Sequence, residues 1–126
     1  MNKPLNFILP LTPYPFDLMV SVGETDEMLF KRLGRYTIGE EEMQDAKYEG
    51  DTGQGRYCLF KCGASLIRIK GKPKTPEEKG TLAHEIFHCA ASVLWRVGIK
   101  LKILTSDEVY AYFCGFLTTE IYKRLD

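Results

Sequence analysis

The chain has 126 residues, enough for one domain built round one modest core. Lys and Arg total 17 and so do Asp and Glu, which removes any global attraction to nucleic acid or to anionic lipid. Neither nucleic acid nor a membrane is therefore expected as a partner. No export signal is evident, so a cytoplasmic location is expected, with Cys58, Cys62, Cys89 and Cys114 as reduced thiols.

Residues 1–15 carry a short apolar run among Pro4, Pro10, Pro13 and Pro15. The run is too short to span a membrane, and the prolines predict an irregular, polyproline-like arm. Residues 16–22 are mostly apolar with loose alternation and predict a strand. Thr25 is an N-cap candidate for a short helix over 26–33, closed by Gly34, with Met28, Leu29 and Leu33 as its buried stripe. Residues 39–55 show no sustained period and predict a loop with room for one helical turn.

Residues 56–62 and 65–70 are rich in aromatic and β-branched side chains and flank Gly63-Ala64. They predict a β-hairpin with a tight turn. Thr75-Pro76-Glu77-Glu78 then gives an N-cap, a proline at the first helical position and a glutamate at the third, which together form a capping box. The helix it opens should run over 76–97 and stop at Gly98. Its apolar face would be Leu82, Ile86, Ala90, Val93 and Val97. After a short apolar connection, a last helix is expected over 106–125, with Val109, Tyr112, Phe113, Phe116, Leu117 and Ile121 as core candidates. These elements predict one domain over 1–126 of α+β class: a small, largely antiparallel sheet of three or four strands packed on two long helices, with one short helix beside it.

Both histidines of the chain lie in the string His84-Glu85-Ile86-Phe87-His88. Residues four apart on a helix stand one turn above each other, so the two imidazoles can reach one tetrahedral zinc. Glu85 sits about 100° further round, beside the metal's open position, where it can act as a general base. This H-E-x-x-H pattern is the one used by zinc-dependent peptidases. A catalytic zinc takes three protein ligands, and there is no third histidine. Glu108, twenty residues after His88 at the start of the last helix, is the leading candidate. It competes with a simpler role, because Thr105-Ser106-Asp107-Glu108 is itself a capping box. Asp107 is a weaker substitute. A structural zinc on the four cysteines has no ligand spacing to support it, and small buried thiols explain them better.

The stretch from Thr81 to Leu125 resembles the core of gluzincin peptidases, and more narrowly the small phage and mobile-element proteins called minigluzincins. The resemblance is carried by Leu82-Ala83-His84-Glu85-Ile86-Phe87-His88, by Val93-Leu94 and Gly98-Ile99, and by Asp107-Glu108-Val109-Tyr110-Ala111-Tyr112. It implies a zincin-like core with zinc on His84, His88 and Glu108, and Glu85 as catalytic base. It also implies an antiparallel edge strand along the cleft, formed here by Ser65, Leu66, Ile67, Arg68, Ile69 and Lys70, which would bind an extended protein or peptide substrate by strand addition. Where many larger gluzincins have an aspartate after the glutamate ligand, this chain has Tyr112. A rival of another class is a non-catalytic, zinc-containing binding module that engages a protein partner by strand addition.

Overall fold

Strands that are apolar on both faces belong in the middle of a covered sheet. In the computed structural model, which describes residues 3–50 and 53–126, that place is taken by β2 (Asp17–Val22) and β4 (Ser65–Ile69). β1 (Leu5–Pro10) and β3 (Gly55–Leu59) lie outside them, in the order β1-β2-β4-β3. The two outer pairs are antiparallel and β2–β4 is parallel. A parallel pair needs a long crossover. Residues 23–64 supply it and contain α1 (Asp26–Leu33), α2 (Glu40–Gln44) and β3. α3 (Pro76–Arg96) and α4 (Asp107–Leu125) follow. The architecture is α+β with a mixed, mostly antiparallel sheet and two long helices.

Alternation along the central strands feeds two cores. Val20, Val22, Ile67 and Ile69 meet Leu82, Ile86 and Val93 of α3 and Phe113, Leu117 and Ile121 of α4. Met19 and Leu66 face the other way, onto Leu29 and Leu33 of α1 and Met43 of α2. Among the described residues no helix is long and apolar enough to cross a membrane.

Several expectations are corrected. Part of the expected N-terminal arm, Leu5–Pro10, is a strand: Leu5, Phe7 and Leu9 alternate onto the α3–α4 core, and Pro10 closes β1 at the sheet edge, where a proline is tolerated. Residues 1 and 2 lie outside the described residues. Met28 is exposed, since only Leu29 and Leu33 of α1 turn inward. The hairpin loop is longer than a two-residue turn. It is closed by Phe60 N–H to Ala64 O (2.9 Å) and Gly63 N–H to Phe60 O (2.9 Å), with Gly63 at φ 97°. Val97 is the C-cap of α3 and is exposed. In α4 the buried stripe is Tyr110, Phe113, Leu117, Ile121 and Leu125, so Val109, Tyr112 and Phe116 face outward. The phase is set by Tyr110, whose hydroxyl donates to Ile99 O at 2.6 Å and ties α4 to the connection after α3.

Candidate metal centre

The string His84–His88 falls in the middle of α3, and the start of that helix is as expected. Thr75 Oγ1 accepts from Glu78 N–H (3.1 Å), and Glu78 Oε1 accepts from Thr75 N–H (3.0 Å). The core face of α3 is set by Leu82, Ile86, Cys89, Ala90 and Val93. That phase turns His84 and His88 outward to solvent and tucks Glu85 against β3, leaving it 7 % exposed.

The two Nε2 atoms are 3.1 Å apart. Two nitrogens on one tetrahedral ion, with metal–nitrogen bonds of about 2.05 Å, would be separated by about 3.3 Å. The spacing therefore fits a shared metal. Donor atoms of His84, Glu85 and His88 all lie within 4.8 Å of one another, and the three residues form a group that could hold a metal ion.

β3 supplies the other wall. Gly55 packs so closely on the helix that a Cβ there would stand 2.8 Å from Thr81 Cγ2 and 2.9 Å from Glu85 Oε2. The glycine is what allows the strand to approach the carboxylate. Two residues on, the Tyr57 ring stacks on His88 with centroids 6.2 Å apart, while its hydroxyl hydrogen-bonds Ser65 Oγ at 2.9 Å. That hydroxyl is committed to the sheet, so Tyr57 positions an imidazole and does not reach into the groove as an acid. Burial raises the Glu85 carboxyl above its ordinary range, and His84, His88 and Arg56 oppose the rise. Together these residues, with Glu49 and Gly53 on the far side, line a groove of about 480 Å³.

Comparison with known protein families, curated proteins and solved structures gives no match for this chain. The metal-binding geometry therefore stands on the residues themselves.

The remaining site residues expected from sequence are placed as follows. Glu108 is in the first turn of α4 but exposed, two residues and about 200° round the helix from buried Tyr110. It lines a separate groove with Tyr112, Phe116 and Thr119, and it is outside the group formed by the histidines. Nor does it cap its helix: Ser106 is the N-cap and makes no side-chain cap bond. Asp107 likewise stays outside the group. Cys89 adjoins His88 in sequence but is buried in the core, where desolvation pushes its thiol up to about 12. Cys58 is similarly raised to about 11.

The strand expected to bind substrate is corrected. Ser65, Leu66, Ile67, Arg68 and Ile69 form β4, which pairs with β2 on one side and β3 on the other and is buried throughout. Its backbone groups are taken, and Arg68 is 2 % exposed and tied to Asp26 at 2.7 Å. Lys70 follows the strand and lines a different, smaller cavity. The free edge beside the histidines belongs to β3. The residues that sequence reading missed are Glu49, Gly55, Arg56 and Tyr57. A signal existed in Gly55-Arg56-Tyr57, a glycine opening an apolar strand, which marks close approach of another backbone or side chain.

Proposed function

We propose that this chain is a zinc-dependent peptidase of the minigluzincin type, hydrolysing a peptide bond in an extended protein segment. The observation that supports it most is the pair of imidazole nitrogens 3.1 Å apart beside a buried glutamate. His84 and His88 would hold the ion, with Tyr57 fixing the His88 ring. When bound, zinc supplies a Lewis acid that activates water and polarises the scissile carbonyl. Glu85 accepts the proton of the attacking water on its carboxylate and delivers it to the leaving amine nitrogen. Its burial against Gly55 raises its proton affinity, which suits a group that must hold a proton between those two steps. An extended substrate adding to the free edge of β3 runs past Glu85 and His88 in turn.

A second reading keeps the metal and drops the turnover: a zinc-containing module that captures a protein segment on β3. The separation of Glu108 from the histidines favours it, because it leaves the pair without the carboxylate ligand expected from α4. The full chain should carry about one zinc, lost in the His84→Ala/His88→Ala variant, and the loaded protein should cleave unfolded polypeptides. Equal zinc content in the two proteins would contradict the site. Zinc binding with no cleavage of any such substrate would favour the second reading.

A further inference from the structure

We propose that Glu49, in the loop between α2 and β3, is the third protein ligand of the metal. The inference rests on the peptidase reading above for the ion and its two histidines. Within the groove that holds His84, Glu85 and His88, Glu49 is the other carboxylate among the described residues. Both Glu49 and Glu108 stand outside the tight donor group of His84, Glu85 and His88, but Glu108 opens onto a different groove whereas Glu49 lines this one.

The loop is built to hold Glu49 there. Its backbone is gripped from beyond: Gly53 N–H donates to Glu49 O at 3.1 Å, and a Cβ on Gly53 would stand 2.9 Å from that oxygen. On the near side, the Tyr48 ring lies under the buried Arg68 guanidinium, 4.4 Å from its centroid. Asp45 O accepts from Arg56 Nε at 2.7 Å and from Cys58 Sγ at 3.1 Å. The segment before β3 is thus pinned to the sheet just before Glu49 and closed on itself just after it, while the Glu49 side chain itself is 81 % exposed.

Its carboxylate is held by Arg56, with Nη1 to Oε1 at 2.8 Å. Arg56 follows the glycine that abuts Glu85, and its charge acts on Glu85. The Glu49 carboxylate is therefore parked on a guanidinium at the rim of the site. An ion pair this exposed is weakly held against water, whereas a metal lacking a third donor offers a carboxylate a full coordination bond. A glutamate side chain has the rotamer freedom to exchange one for the other. A role confined to the surface ion pair predicts no change in metal coordination on its removal.

The test measures zinc affinity of the full chain by competition with a chromophoric chelator, and the visible absorption of the cobalt(II)-loaded protein, which reports ligand number. Wild type, Glu49→Gln, Glu49→Asp, Glu108→Gln and His84→Ala are compared, with circular dichroism to verify folding. Glu49→Gln should weaken zinc by more than the roughly tenfold to hundredfold that loss of a mere supporting partner costs, and should change the cobalt spectrum. Glu49→Asp, which keeps the carboxylate, should recover part of both. Glu108→Gln should stay within about twofold of wild type. A cobalt spectrum and zinc affinity unchanged in Glu49→Gln, with His84→Ala still losing the metal, would overturn the role of Glu49 and leave the histidine site standing. An unchanged cobalt spectrum with only weakened affinity would also overturn it, because it would mark a through-space effect of charge. Wild type and His84→Ala binding zinc equally would instead remove the peptidase reading on which the proposal rests.

Discussion

The molecule contains two clusters of charged side chains, and they differ in what their atoms lack. In the cluster beneath α1, Glu24 accepts from Ser21 Oγ (2.6 Å) and from Arg32 Nε (3.2 Å), and Arg32 Nη2 closes a second contact. Arg68 is engaged through both terminal nitrogens, Nη1 with Asp26 at 2.7 Å and Ala46 O at 2.9 Å and Nη2 with Glu24 O at 3.0 Å, while its buried Nε has no partner among the described residues. Buried charges survive only when paired and hydrogen-bonded in this way. The groove at α3 and β3 is the opposite case. Two exposed imidazoles face each other at 3.1 Å, a contact that fails when both rings are protonated. Beside them a buried carboxylate rests against a glycine without a hydrogen bond among the described contacts. The first cluster pairs its charges within the protein, with Arg68 Nε the exception, and holds the fold. Among the described residues, the second leaves its donor atoms unpaired with opposite charge and could hold a metal ion.

That contrast can be broken by mutation. The largest loss of stability should come from Glu24→Ala, which strips the buried acid from Arg32 and Ser21. About 3 kcal/mol is expected in urea unfolding, at the low end for breaking a buried pair because Arg32 keeps some water. Zinc affinity should not change, and if it falls with stability the two clusters are coupled. Gly55→Ala should come next, at about 1–3 kcal/mol, from forcing a methyl between Thr81 and Glu85. Its effect on hydrolysis should exceed its effect on metal affinity, since it displaces the base and not the histidines. A normal turnover rate in this variant would contradict the tight seat given to Glu85.

Thr75→Ala removes the cap that starts α3 and should cost about 1 kcal/mol in thermal or urea unfolding. The cap also has a pH signature. Backbone N–H groups of Thr75 and Lys74 hold the Glu78 carboxyl below its ordinary range. A lowered folded value contributes stability above the unfolded carboxylate value of 4.5 and loses it as pH falls through the folded one. The stability difference between wild type and Glu78→Gln should therefore shrink on acidification. The smallest change should be that of His84→Ala in the metal-free protein, within about 0.5 kcal/mol, because an exposed imidazole supports nothing in the core. The same variant should lose its zinc. A large apoprotein destabilisation would move the histidines into the structural class.

Most of the fold was legible where local chemistry is strong. The capping box at Thr75, the Thr25 cap and the apolar stripe of α3 depend on neighbours in sequence, and all three are present. What was not legible is what depends on sheet order. Residues 65–69 carry apolar side chains on both faces, which marks a central strand, yet hairpin pairing with β3 alone would make them an edge. The parallel neighbour, β2, is more than forty residues away along the chain, and no local signal announces it. β1 was hidden by its prolines. In α4, aromatic residues at 110, 112, 113 and 116 spread over about 160° of the helix, beyond the side that is buried, so periodicity alone does not choose the buried side. The hydrogen bond from Tyr110 to Ile99 O does. At the site, the H-E-x-x-H group followed from helix geometry alone. Glu49 belongs to a loop with no period, and only the folding of that loop across the sheet edge brings it to the groove.

The most direct test pairs two readings on one sample, the Glu85→Gln protein loaded with zinc. The amide keeps the size of the carboxylate but has no basic oxygen to take the proton of water. Zinc content should match wild type, and hydrolysis of an unfolded polypeptide should fall by about a hundredfold or more. Cleavage by Glu85→Gln at the wild-type rate would contradict a general base at this position and place the activity elsewhere.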